Sequence, residues 1–279
     1  MSAGVGTGAS SGVSGGVPTL LGLPYDGASS FRRGAAAAPR LIREALRSPS
    51  SNSWSEGGVD VGAVTALADA GDVDLANVAD VRGAIESAVA SVLRGGLGRP
   101  VALGGDHSVT YPVLRALRPS CPALTVLHVD AHPDLYDQFE GNRFSHACPF
   151  ARVMEDRLAD RLVQVGIRTL NAHQREQADR YGVEVIDMRA WASGARPEVR
   201  GPVYLSVDVD ALDPAFAPGV SHREPGGLSV RELLTIVQGI DGPIVGADVV
   251  EFNPGQDPVG LTAPVCAKIV KEIVGAMVR

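Results

Sequence analysis

Blocks of positive charge are missing from this sequence: 25 Lys plus Arg stand against 32 Asp plus Glu, for a formal net charge of −7. That balance excludes nucleic acid and an anionic membrane as natural partners and suits a small cationic ligand. Cysteine is scarce. Cys121, Cys148 and Cys266 are odd in number and widely spaced, with no C-x-x-C. This excludes a disulfide framework or a zinc knuckle and leaves three reduced thiols. No apolar run approaches the roughly 20 residues of a spanning helix. Aromatic residues are only 5%, so the core must be built mostly from Ala, Val and Leu. Residues 1–16, rich in Gly, Ser, Ala and Val, carry no charged leading region and no Arg. They are expected to be a disordered lead-in, neither a signal nor a transit peptide. With the reduced thiols, this predicts a cytoplasmic protein.

Residues 17–279 are long enough for one α/β domain with a full core and short for two. Short apolar runs predict strands over Thr19–Gly22, Val101–Leu103, Leu124–Val129, Leu162–Val165, Val183–Ile186, Val203–Val207 and Ile244–Ala247. Amphipathic spacing predicts helices over Pro39–Leu46, Val78–Leu93, Val230–Ile240 and Val259–Val278, and one capped by Ser108 through Leu117. Ser48–Gly58 reads as a surface loop. Strand and helix alternate along the whole chain, which means a mostly parallel sheet with helices on both faces. In such a sheet ligands bind beyond the carboxyl ends of the strands.

Three of those ends carry polar clusters: Gly104-Gly105-Asp106-His107-Ser108, Asp130-Ala131-His132-Pro133-Asp134 and Asp208-Val209-Asp210-Ala211-Leu212-Asp213-Pro214. Read as extended chain, Asp130, His132 and Asp134 share a face, as do Asp208 and Asp210. Four carboxylates buried at sheet centres repel one another unless a cation joins them. His107, Asp130, His132, Asp134, Asp208 and Asp210 therefore read as ligands of two divalent ions. Their carboxylate-rich chemistry suits Mn²⁺ better than Zn²⁺, and Ni²⁺ or another divalent metal could take the same donors. Two such ions can share a hydroxide and make it available at neutral pH. Asp106 and Asp213 read as carboxylates that orient ligands or hold turns. His128 reads as a packed, hydrogen-bonded histidine or as a support for Asp130. His222 lies in a loop that could border the pocket.

These three motifs resemble those of the arginase/agmatinase (ureohydrolase) family, most of all the plant-type arginases. The resemblance extends to Tyr136-Asp137-Gln138-Phe139-Glu140-Gly141-Asn142-Arg143-Phe144-Ser145-His146-Ala147 and to Asp213-Pro214-Ala215-Phe216-Ala217-Pro218-Gly219-Val220-Ser221-His222. It also takes in Gly246-Ala247-Asp248-Val249-Val250-Glu251-Phe252-Asn253-Pro254. It implies a three-layer α/β/α fold with an eight-stranded, mostly parallel sheet, the same six metal ligands, and a homo-oligomer of trimer or hexamer type. It further implies that His146 shuttles protons near the leaving amine and that Glu251 holds the guanidinium. Asn142 and Asn171 fall where the substrate's α-carboxylate and α-amino groups would bind. The Arg-rich N-terminal extension of the organellar plant enzymes is not found here, so their location is not carried over.

The expected activity is hydrolysis of the guanidino group of a small cationic substrate, arginine or agmatine, to urea and an amine. Guanidinobutyrate and free guanidine are alternative substrates. A non-catalytic metal-binding regulator on the same fold is the alternative of another class. It predicts lost ligands, whereas all six are present.

Overall fold

The computed structural model describes residues 15–63, 65–94 and 98–279. The expected disorder of residues 1–16 falls mostly outside them. Eight strands form one sheet: β1 (Val17–Leu23), β2 (Ala68–Asp72), β3 (Gly98–Gly104), β4 (Thr125–Val129), β5 (Arg161–Ile167), β6 (Glu184–Asp187), β7 (Val203–Asp208) and β8 (Ile244–Val250). Their order is β2-β1-β3-β8-β7-β4-β5-β6, and every neighbouring pair is parallel. The helices are α1 (Ala38–Leu46), α2 (Val81–Leu93), α3 (Thr110–Leu117), α4 (Pro149–Glu155), α5 (Ala172–Tyr181), α6 (Met188–Ala192), α7 (Val230–Gln238) and α8 (Thr262–Val278).

Strand alternation feeds two cores. Val101, Leu103, Leu127, Val129, Leu205 and Val207 face Ile42 of α1, Trp191 of α6, Leu233 of α7 and Ile273 of α8. The intervening Ala102, Val126 and Tyr204 face Ile85 of α2, Leu114 of α3, Phe150 of α4 and Ala178 of α5. Helices thus cover both faces, which is why the central strands read as continuous apolar runs. Cys121, Cys148 and Cys266 are buried and free.

Helix starts follow their caps. The Asp80 carboxylate accepts from Gly83 N–H at 3.0 Å, so α2 begins at Val81 rather than Val78. Asp257 accepts from the Leu261 and Thr262 N–H groups, which moves the start of α8 from Val259 to Thr262. Asp106 caps the 3₁₀ turn His107–Val109 that leads into α3, its carboxylate accepting from Ser108 N–H. Ser108 is therefore not the cap.

The strand missed in the sequence is β2. Its five residues, Ala-Asp-Ala-Gly-Asp, are all exposed, so no apolar periodicity marks them. Arg43 of α1 holds this edge, donating to Asp69, Asp72 and the Gly71 carbonyl.

Candidate metal centre

The strand order brings distant segments together. β3, β8, β7 and β4 are adjacent at the centre of the sheet, and their carboxyl ends open on one side. His107 follows β3, Glu251 follows β8, Asp208 ends β7, and Asp130 follows β4. This is the strand-end location where open α/β sheets bind ligands.

Strand parity is not what makes the side chains converge. β4 stops at Val129, and residues 130–134 form a turning loop in which Asp130 accepts from His132 N–H at 2.6 Å. Asp134 has φ +51° and Glu251 φ +65°. Both are non-glycine residues in the left-handed region, a strained geometry held by its surroundings. β7 likewise stops at Asp208, and Asp210 lies in a 3₁₀ turn whose N–H is bound by the Asp208 carboxylate at 2.8 Å. Tight turns, rather than extended chain, aim these carboxylates.

Two groups of donors share Asp130. On one side, His107 Nδ1 lies 3.2 Å from Asp130 Oδ2, 3.1 Å from Asp134 Oδ2 and 3.1 Å from Asp208 Oδ2. On the other, His132 Nδ1 lies 3.4 Å from Asp130 Oδ1 and 3.1 Å from Asp210 Oδ2. All of these residues except His132 are buried.

A hydrogen-bond chain fixes which nitrogen of His107 faces the carboxylates. Buried Asp248 accepts from the hydroxyls of Thr110 at 2.8 Å, Tyr204 at 2.7 Å and Ser206 at 2.7 Å. Ser206 has thereby given up its one proton, so its oxygen accepts from His107 Nε2–H at 2.9 Å. The His107 Nδ1 lone pair is left pointing at three carboxylate oxygens. Lone pairs converging in this way fit a divalent cation, with the other ring nitrogen hydrogen-bonded to orient the ligand. The titration directions agree. Burial, then the Asp210 and Asp130 charges, push Asp208 well above the usual carboxylate range. Burial raises Asp210 as well, although His132 opposes it. Burial disfavours a charged His107, yet Asp130, Asp134 and Asp208 outweigh it and drive its pKa well above the ordinary histidine value. The pull that would draw a proton there also acts on a metal ion. Asp248, Ser206, Tyr204 and Thr110 were missed in the sequence. Their only signal was polarity inside apolar strands or at a helix start.

Next to this cluster is a cavity of about 210 Å³, lined by His132, Asp134, Asp208, Asp210, His146 and Glu251 and also by Ser30, Tyr136, Thr169, Gln174, His222 and Glu224. Among the described residues, no Lys or Arg lines it. Glu251 Oε1 accepts from the His107 backbone N–H at 2.9 Å and lies 2.8 Å from His146 Nδ1. Burial opposes a charged His146, but Glu251 outweighs it and pushes His146 up to about 9. Ser30 N–H points at His146 Nε2 from 3.1 Å.

Asn142 and Asn171 stand outside the lining. Asn142 is exposed, and its Oδ1 accepts from Phe144 N–H at 2.9 Å. Asn171 caps α5, accepting from Gln174 N–H at 2.9 Å and donating to the Tyr136 hydroxyl at 2.6 Å. Their carbonyl oxygens serve a local turn and a helix cap, and Tyr136 and Gln174 border the cavity instead. Asp106 accepts from Ala28 N–H at 2.9 Å and from Ser108, tying the loop after β1 to that after β3. Asp213 accepts from Ala215, Gly226 and Gly227 N–H groups. His222 borders the cavity, with its ring centroid 5.8 Å from that of His132 and 5.2 Å from that of His146.

Residues 18–275 match the model of the Arginase family. The chain is 48% identical over 273 residues to "Arginase 1, mitochondrial" of Arabidopsis thaliana, covering 91% of this chain and 79% of that protein. It is 36% identical over 275 residues to "Guanidino acid hydrolase, mitochondrial" of Homo sapiens, covering 92% and 77%. The solved arginase from Medicago truncatula superposes with a TM-score of 0.89 at 44% identity, covering 94% of this chain and 87% of that one. The expectation of a cytoplasmic location does not survive these comparisons. Relatives from Arabidopsis thaliana, Oryza sativa and Medicago truncatula carry mitochondrial or chloroplastic names, which point to an organelle. Reduced thiols do not distinguish the cytoplasm from an organelle interior, so composition could not make the distinction. The parallel eight-stranded fold, the His/Asp cluster able to bind metal and the match along nearly the whole chain agree: the chain belongs to the arginase family and is a hydrolase of the ureohydrolase type.

Proposed function

We propose that residues 17–279 act as one catalytic unit that hydrolyses the guanidino group of arginine or agmatine to urea and an amine. The observation that carries this reading is the convergence of His107 Nδ1 with three buried carboxylates beside a cavity that also exposes His146 and Glu251. His107, Asp130, Asp134 and Asp208 would hold one divalent ion, and His132, Asp130, Asp210 and Asp208 the other. The carboxylate-rich set favours Mn²⁺. When bound, such a pair of ions supplies a nucleophile at neutral pH by acidifying water.

The chain's own residues do the rest. Glu251, anchored through Oε1 by His107 N–H, offers its remaining acceptor capacity to the guanidinium N–H groups, which match a carboxylate in a planar fork. Burial disfavours a charged His146, but Glu251 outweighs it, so His146 would hold a proton and hand it to the departing amine. The buried carboxylates, with no Lys or Arg among the described lining residues, would draw in a cation. Gln174 and Glu224, also in the cavity lining, would offer acceptors to the ammonium group that arginine and agmatine share. Asn171 would act there only through Tyr136, and Asn142 through its turn.

The test is urea release with Mn²⁺ from arginine, agmatine, guanidinobutyrate and guanidine. Arginine or agmatine should be the best substrate. Urea from none of the four would overturn the proposal, and a clear preference for guanidinobutyrate or guanidine would change the substrate.

A further inference from the structure

His128 resembles a seventh metal ligand. It is fully buried on β4, and its ring nitrogen gathers with donors of His107, Asp130 and Asp134. The hydrogen bonds around it assign a different part.

Gln164, buried on the neighbouring strand β5, places its amide nitrogen 2.6 Å from the Pro133 carbonyl oxygen and 3.0 Å from His128 Nδ1. A carbonyl oxygen only accepts, so the atom facing it must be the NH₂ group. The reverse amide orientation would set two oxygens against each other. The orientation is kept although it leaves the buried Gln164 Oε1 without a partner. With NH₂ as donor, His128 Nδ1 must accept, and the ring's proton lies on Nε2. That Nε2 is 2.7 Å from Asp130 Oδ2. A protonated ring nitrogen has no lone pair for a metal, but it makes a strong hydrogen bond to a carboxylate. Phe150, stacked on the ring with centroids 3.9 Å apart, fixes its plane. Asp130 is the carboxylate shared by both donor groups.

We infer that His128 is a positioning residue that aims Asp130 at the metal pair through Nε2–H, and that Gln164 selects the tautomer this requires. The inference rests on the proposed metal centre. Removing partners of this kind lowers metal affinity by about 10- to 100-fold.

The test is a calorimetric titration of Mn²⁺ into chelator-treated protein, paired with the unfolding midpoint of the same metal-free samples. Wild type should take up two ions. His128→Phe keeps the aromatic packing and removes the donor, so Mn²⁺ affinity should fall by about 10- to 100-fold. The metal-free midpoint should change little. His128→Gln, which can present an N–H near the position of Nε2, should recover most of the affinity. Gln164→Leu should weaken Mn²⁺ binding in the same direction while leaving the imidazole in place, which keeps the test alive if His128→Phe fails to fold. In both weakened variants turnover should be restored by saturating Mn²⁺. Wild-type affinity in His128→Phe or in Gln164→Leu would overturn the assignment. So would a His128→Gln defect equal to that of His128→Phe. A wild type that binds no Mn²⁺ would sink the metal centre, and this inference with it.

Discussion

Two regions of this molecule gather aspartates and neutralise them in opposite ways. At the outer strand β2, Asp69 and Asp72 meet the guanidinium of Arg43, and Arg47 also reaches Asp69. Burial opposes ionisation of Asp69, but Arg43 and Arg47 hold it below the usual carboxylate range. At the carboxyl ends of β3, β8, β7 and β4, Asp130, Asp134, Asp208 and Asp210 are buried against imidazoles. Among the described residues none of these four is paired with Lys or Arg. Burial leaves Asp208 and Asp210 raised. A permanent side-chain cation makes a carboxylate structural. Carboxylates buried together without one are prepared for an exchangeable cation.

That contrast is broken most severely at the centre. Asp210→Ala or His132→Ala should bring urea release to background and weaken Mn²⁺ uptake, measured by turnover and metal content. Full activity in purified Asp210→Ala would make the central aspartates structural like those of β2. A smaller effect is expected one step from the ligands. His146→Ala should stay folded and metallated while kcat falls by about 10²–10⁴-fold, the usual worth of a positioned acid or base.

The pH dependence sharpens the same comparison. His146 is raised from 6.5 to about 9 in the folded chain. A raised folded pKa contributes stability that is complete below the unfolded value and lost as pH rises through the folded one. The metal-free protein should therefore lose stability between pH 6.5 and 9, as it must release protons bound in the folded state. Mn²⁺ should oppose the loss, because ligands bind metal in their deprotonated form. At 100-fold excess over Kd the ion adds about 2.7 kcal/mol. Thermal melts with and without chelator across that range test this, and parallel pH profiles would count against the central cluster as a metal site. The smallest effect belongs to the edge. Arg43→Ala should lower stability by about 2 kcal/mol, discounted for the exposure of Asp72. Turnover per folded molecule should stay unchanged, as read by denaturant unfolding beside a urea assay.

The central strands were legible because burial on both faces writes itself as unbroken apolar runs, as in Leu124–Val129. β2 was illegible for the opposite reason: an exposed edge strand stabilised by Arg43 needs no apolar pattern. The six candidate ligands were legible because carboxylates and imidazoles directly after such runs are carried into the interior, where unpaired charge is tolerated only beside a cation. How they converge was not, since it depends on the left-handed Asp134 and on the turn at Asp210. Asn142 and Asn171 show the limit from the other side. Position in the chain placed them near the substrate, while their carbonyl oxygens accept from turn and cap N–H groups outside the cavity lining.

By itself the sequence determined the alternation of strand and helix, the chemistry of the donors and the sign of the charge that must join them. These are local properties, fixed by side-chain type and periodicity. Only the tertiary structure decided that β3, β8, β7 and β4 are neighbours, that Asp248 sets the tautomer of His107, and that Gln164 sets that of His128. Those relations join residues remote in the chain, and hydrogen-bond direction is settled only when donor and acceptor meet in space.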